Sequence, residues 1–517
     1  METATAARSA RQFDSSAFLP IAWYWRSAIV TYFFLYRILF PIISAATSAE
    51  TVPFLTARIL AEILYTSLLA FPFLMRRTGI GWVHPLILPT IFITAKSIAK
   101  QPLHLIAPFD FPLLTFDAGT SSGAISLIMS DGDLALTRLG YSLIGSLALA
   151  CYYAAFFLFK PKRLPSLRIG RPKNLAFFAL TAVTVIFVIS SAFVIIKGGG
   201  LGSYIVAMRG GRVQLFEGLG PFLVLGQFAP IPVLVWFAYA KRPFSSPLFL
   251  AALGMSLTNA LLIAGSRSDV LLPLTILVML WWMRKGKVLV APALAVAMTM
   301  MAVFGLFGMI RQDYGSTQVD TKILSFEAID EWYKHALQDV SERGNEESAL
   351  AAFAGANKYG LLWGKTYIGG AAFWIPRALW SGKPRSADAY NMWINFAGLS
   401  KDTPLHETTI KFWGIPVSAA AEAYWNFHIP GVIVFFSLFG MLHRWLAELI
   451  IEYRWVPALW VGYLLILIEF SGTTGAFVAT ARDLILLLSF LVVTGIVRLS
   501  FFPYARSDAK NVNHTLG

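Results

Sequence analysis

The stretch "WIPRALWSGKPRS" (Trp374–Ser386) sets Arg377, Lys383 and Arg385 among Trp, Pro and Gly, a mixture too irregular for a helix, with Lys365 just upstream. "YIVAMRGGR" sets Arg209 and Arg212 around a Gly-Gly pair, followed by Glu217. "LLIAGSRSDV" adds Arg267 with Asp269 two positions on, and "FGMIRQDYG" adds Arg311. A guanidinium presents a planar fork of donors that matches phosphate and carboxylate oxygens, so cations gathered from these segments suit a ligand with a pyrophosphate head. The same side chains can instead snorkel toward a membrane interface or pair with neighbouring acids. The glycines beside them allow close backbone approach to a ligand, and they explain loop flexibility equally well.

The acids and histidines offer fewer patterns. Glu422 and Asn426, in "AEAYWNFHIPGVIVFFSLFG", are four apart and share one face of a helix. A carboxylate desolvated there becomes more basic, as a general base requires, or it forms a salt bridge to a loop arginine. His406 stands beside Glu407 in "TPLHETT"; such a pair can activate a hydroxyl, and a lone loop histidine can equally be polar surface. Asp131-Gly-Asp133 has a spacing able to hold a divalent cation, but Asp-Gly-Asp is also common turn chemistry; Asp110 and Asp117 rank with it. No HExxH, CxxC or EF-hand spacing exists, so neither a metal nor a cofactor is expected. The lone Cys151 cannot make an intrachain disulfide. Arg37, Arg58 and Glu62 fall within apolar blocks, where ionisable side chains face a bundle interior and pair. A structural Arg–Glu pair is the expectation there, with a proton or ion relay as the alternative, and Glu469 is similar.

The elements that must position these residues are membrane helices. The chain has 517 residues, 57% hydrophobic and 14% charged, with a mean hydropathy of +0.65. No soluble domain hides that much apolar surface. The apolar residues come in blocks of about 18 to 22, the length of a spanning helix. Blocks near 20–46, 53–75, 80–97, 139–159, 175–196, 221–240, 247–265, 268–283, 288–310, 429–447, 456–470 and 484–500 predict about twelve spans. The net charge of +14 has no basic run suited to nucleic acid. It is concentrated in short loops instead: Arg76–Arg77, Lys160 to Lys173, Lys241–Arg242, Arg284 to Lys287, and Arg444 with Arg454. All of these fall on one side if there are twelve spans, which makes that side, with both termini, cytoplasmic. The connections 98–138, 197–220 and 311–428 then lie outside. The predicted organisation is spans 1–9 over residues 1–310, a long external loop over 311–428, and spans 10–12 with a tail over 429–517. That loop begins with an amphipathic helix carrying Phe326, Ile329, Tyr333, Ala336, Leu337 and Val340.

"IPRALWSGKPRS", followed by "AEAYWNFHIPGVIVFFSLFG", resembles the oligosaccharide repeat-unit polymerases, the O-antigen polymerase (Wzy-type) family. "IAGSRSD" and "GGGLGSYIVAMRGGR" resemble two further elements of that family. The similarity runs from about residue 175 onward. Ser381 stands where the family has Pro, and His428 where it has Gly. The resemblance implies an all-α polytopic, GT-C-like glycosyltransferase of the bacterial inner membrane, independent of nucleotide sugars. Its substrates would be undecaprenyl-pyrophosphate-linked oligosaccharides, its surroundings the lipid bilayer, with a chain-length regulator as a candidate partner and no nucleic acid. Arg377, Lys383 and Arg385 would grip pyrophosphate, and Arg209, Arg212, Arg267 and Arg311 would bind the lipid-linked substrates. Glu422 would activate the acceptor or position an arginine. An O-antigen ligase, with His406 central, is the enzymatic alternative. A transporter or flippase built on Arg37, Arg58 and Glu62 is the alternative of another class.

Overall fold

A computed structural model of the chain describes residues 18–39, 54–75, 80–87, 131–161, 164–200, 226–260, 267–306, 328–332, 345–403 and 414–498, apart from scattered positions within these ranges, together with isolated residues such as Thr90. The described residues are mostly helical. In chain order the helices are α1 (Trp23–Phe34), α2 (Leu55–Leu74), α3 (Asp131–Leu158), α4 (Leu175–Gly198), α5 (Pro230–Tyr239), α6 (Pro247–Asn259) and α7 (Arg267–Lys285). They continue with α8 (Asn345–Tyr359), α9 (Lys365–Ala371), α10 (Ala387–Tyr390), α11 (Ala419–Glu452), α12 (Pro457–Glu469) and α13 (Thr474–Val493). Two short strands, β1 (Arg168–Ile169) and β2 (Val497–Arg498), pair antiparallel. Among the described residues, five helices, α2, α3, α4, α11 and α13, are long and apolar enough to cross a membrane; α6 and α12 are apolar but shorter.

The predicted third span is not a helix where it begins. Residues 80–87 run through successive turns, although Ile80, Val83, Leu86 and Ile87 are all buried. Gly81 and Pro85 disfavour a helix there, and other elements satisfy the freed backbone groups. Arg26 donates to the carbonyls of Met75 (2.5 Å) and Ile80 (3.1 Å), Tyr463 to that of Val83 (2.8 Å), and Tyr152 to that of Pro85 (3.2 Å). Apolar content therefore marked burial here, not helix. The last predicted span also shifts: α13 starts ten residues before position 484 and stops at Val493, where β2 follows. Asp131-Gly-Asp133 opens α3 instead of forming a turn.

One cluster of buried side chains joins α4, α5, α6, α7, α12 and α13 around Phe237, Phe249 and Trp460. A second joins α3, α8 and α11, with Trp425 fully buried and the Phe353 and Tyr424 rings 4.4 Å apart. The helix α8, rich in alanine, was not foreseen; Ala349, Ala352 and Ala356 let it lie close against its neighbours. Glu62 of α2 accepts from Arg37, just after α1, at 3.2 Å and from the Ser142 hydroxyl of α3 at 2.6 Å, so an ion pair and a hydrogen bond tie these three segments together. Helix α11 is two pieces joined at Phe427 and His428, whose φ of +54° is left-handed. Pro430 lacks an N–H and crowds the carbonyl four residues earlier, which accounts for the break.

Candidate functional site

The basic stretch singled out in the sequence folds into the wall of a cavity of about 550 Å³. Its lining comes from segments far apart in the chain: α9, Lys383 to Ala389, the approach to α11, and the first turn of α13. Lys383, Arg385, Ser386, Asp388, Thr474 and Gly475 supply its polar character. Close approach of these segments depends on small residues. A Cβ at Gly369 would sit 2.7 Å from the Pro384 carbonyl oxygen, so only glycine lets α9 touch the basic loop there.

Lys383 shapes this loop as well as charging it. Its ammonium donates to the carbonyls of Phe373 (3.2 Å) and Ile375 (3.1 Å), tying the loop back on itself. Arg385 lines the cavity two residues on. Lys383 and Arg385 thus both line one concave space.

The acid that reaches the same space is Asp388, which the sequence reading did not single out. Its Oδ1 accepts from the Val417 N–H at 3.0 Å, and its carbonyl accepts from the Ile415 N–H at 3.0 Å. Its Oδ2 lies toward Gly475, 3.4 Å from where a Cβ would stand. Burial, with a further contribution from the nearby Glu422 charge, pushes the Asp388 carboxyl up to about 6, partly offset by the Val417 hydrogen bond. The only clue in the sequence was position: Asp388 lies three residues beyond Arg385.

Glu422 is not among the residues that line the cavity. It is 1% exposed, and each of its carboxylate oxygens accepts from Thr474: Oε2 from the N–H at 2.9 Å and Oε1 from the hydroxyl at 2.5 Å. Asn426, four residues on as expected, donates to the Thr366 hydroxyl (2.9 Å) and to the Glu422 carbonyl (2.9 Å). This polar cluster joins α9, α11 and α13 behind the cavity wall. Ser418 caps α11, so Glu422 falls in the first turn, turned toward the start of α13.

Arg377, Arg209, Arg212, Arg311 and His406 lie outside the described residues. Arg267 is the first residue of α7; its side chain is likewise outside the description. Among the described residues no group of histidine, cysteine and carboxylate is arranged to hold a metal ion. The expectation that Glu422 pairs with an arginine gives way to Thr474 as its observed partner. No protein-family model, curated protein or solved structure matches this chain.

Proposed function

We propose that the chain is a membrane glycosyltransferase that polymerises polyprenyl-pyrophosphate-linked oligosaccharide repeat units into a surface polysaccharide. On this reading the fold is GT-C-like with about twelve spans, the membrane is the bacterial inner membrane, and both termini are cytoplasmic. The observation that carries the proposal is Lys383, Arg385 and Asp388 lining one cavity, built by the motif that resembles the repeat-unit polymerases.

The chemistry follows from these groups. A sugar pyrophosphate is an activated donor, so the protein must stabilise the departing anion and take a proton from the acceptor. Lys383 and Arg385 meet the charge that develops on pyrophosphate as the anomeric C–O bond breaks. Arg377, with Arg209, Arg212, Arg267 and Arg311, completes the proposed set of cations. The acceptor hydroxyl oxygen forms the new bond to the anomeric carbon, and its proton passes to Asp388. The polyprenyl pyrophosphate leaves with the bonding electron pair. Asp388 replaces Glu422 as the base because it lines the cavity, whereas Glu422 is committed to Thr474.

The test is complementation of a deletion strain with Lys383→Ala, Arg385→Ala and Asp388→Asn, read by electrophoresis of surface glycan. Each variant should reach the membrane yet give single capped repeats, with transfer in isolated membranes down by about a hundredfold or more for Asp388→Asn. Asp388 must be ionised to accept the proton. Transfer should therefore rise with pH through about 6, and the residual activity of Asp388→Asn should lack that limb. Normal ladders from Arg385→Ala and Asp388→Asn together would remove the proposal. Lipid-linked polymer accumulating in the deletion strain would point to a ligase, and absence of external lipid-linked units to a flippase.

A further inference from the structure

The segment that walls the cavity carries an unusual set of exposed side chains. Trp363 is 70% exposed, Trp374 71% and Leu379 81%, with Ile368 and Trp380 also exposed. They crowd into residues 363–380, outside every helix long enough to span a membrane. Large apolar groups gathered on the surface of a chain mark a surface that meets something other than water.

The neighbouring elements identify that medium. Gly364 lies against the Phe427 ring, where a Cβ would stand 2.8 Å from Cζ. The Tyr367 ring stacks nearly parallel on Phe427 (6.2 Å between centroids) and on Phe435 (5.8 Å). Phe427, Ile429, Ile433 and Val434 of α11 are themselves exposed, on a helix apolar and long enough to span the bilayer. The apolar surface of the spanning helix thus continues onto the 363–371 segment through stacked rings. The Lys383 ammonium uses two of its donors on carbonyls within the loop, and Lys365 is exposed near the start of the segment. Tryptophans with a flanking lysine match the composition of the membrane–water interface.

We propose that the described residues between 363 and 380 form a membrane-seated lip, with Trp363, Ile368, Trp374, Leu379 and Trp380 inserted into the phospholipid interface beside the cavity. What is read from the sequence as part of a long external loop is then a lipid-bound rim. This seating holds whether or not the chain transfers sugars. If it does, as proposed above, the rim brings the cavity to the depth of a lipid-anchored pyrophosphate.

The test uses the full chain in phosphatidylcholine–phosphatidylglycerol nanodiscs. With Cys151→Ser as background, a bimane is attached at Leu379→Cys and separately at Trp374→Cys. Quenching by doxyl-labelled phospholipid is compared with quenching by aqueous iodide, using the free bimane–glutathione adduct as reference. The expected result is strong quenching by the doxyl lipid and an iodide constant several-fold below that of the free adduct at both positions. Iodide quenching equal to the free adduct, with no effect of doxyl lipid, would overturn the lip. The measurement reads position and not catalysis, so its failure leaves the transferase reading standing, and loss of that reading leaves the lip intact.

Discussion

Two carboxylates, Asp388 and Glu422, are close enough for the charge of one to raise the pKa of the other, yet they occupy different chemical situations. Glu422 meets the N–H and hydroxyl of Thr474, the first residue of α13, where the N–H groups of the opening turn lack helical partners. A negative charge there also complements the helix dipole. Glu422 is thus a clasp holding α11 to α13, with Asn426 extending it to Thr366 of α9. Glu422→Ala strands buried donors and should cost about 1–3 kcal/mol, whereas Glu422→Gln retains an acceptor for the Thr474 N–H and should cost less. Thermal unfolding in detergent reads both, and an alanine variant as stable as the parent would exclude the clasp. The sequence pointed to Glu422 because its spacing to Asn426 marks a polar face within an apolar run. It gave no sign that Thr474, some fifty residues on, takes both oxygens. Asp388 was passed over because nothing local distinguishes an acid after a basic loop from a solvated one; only the arrival of Val417 and Gly475 encloses it.

At the scale of elements, α3 packs along α11, the helix whose first turn carries Glu422 against the start of α13. The two helices come together at Gly440, where a Cβ would stand 2.3 Å from the Tyr152 carbonyl oxygen and 3.1 Å from the Phe156 N. The obstacle is backbone, which cannot swing aside, so Gly440→Ala must push the helices apart. Overpacking of this kind costs typically about 1–3 kcal/mol. Beside it, the Tyr152 hydroxyl lies 2.7 Å from His443 Nδ1, and that distance would have to lengthen. A Gly440→Ala protein should unfold at lower temperature than the parent, and an unchanged midpoint would show that the contact is looser than described. This dependence was invisible in the sequence, since a glycine in an apolar run does not reveal what faces it. The long apolar helices were legible because a spanning segment needs continuous hydrophobicity. The buried turns at 80–87 were misread for the same reason: a segment surrounded by protein needs hydrophobicity too, and its backbone partners, Arg26, Tyr152 and Tyr463, come from distant helices.

Across the whole molecule, two of the segments rich in Lys and Arg meet at one end. β1, from the loop after α3, pairs with β2 at the close of α13, with Arg168 opposite Arg498. Tyr453, in the turn between α11 and α12, donates to the Pro165 carbonyl at 2.6 Å and accepts from the Leu167 N–H at 3.1 Å. The charge pattern had assigned both the 160–173 loop and the 453–456 turn to the same side, so three-dimensional contact and charge bias agree without sharing a premise. The cavity lies at the other end: Thr474 and Gly475 open α13, whereas β2 follows its last residue. A helix of 20 residues is about 30 Å long, the thickness of a bilayer's hydrocarbon core. This separation makes a prediction that charge counting alone does not. In a Cys151→Ser background, Arg168→Cys with Arg498→Cys places thiols on facing residues of adjacent strands, within reach of a disulfide. Oxidation should lock the pair, detected as a fragment that stays attached after cleavage between the two positions. In sealed spheroplasts an impermeant maleimide should leave the reduced pair unlabelled, yet it should label Lys383→Cys in the same preparation. Inverted vesicles should reverse the pattern. Labelling of both sites from one side would place the cavity and the strand pair on the same face, and the proposed pyrophosphate grip would then face the wrong compartment.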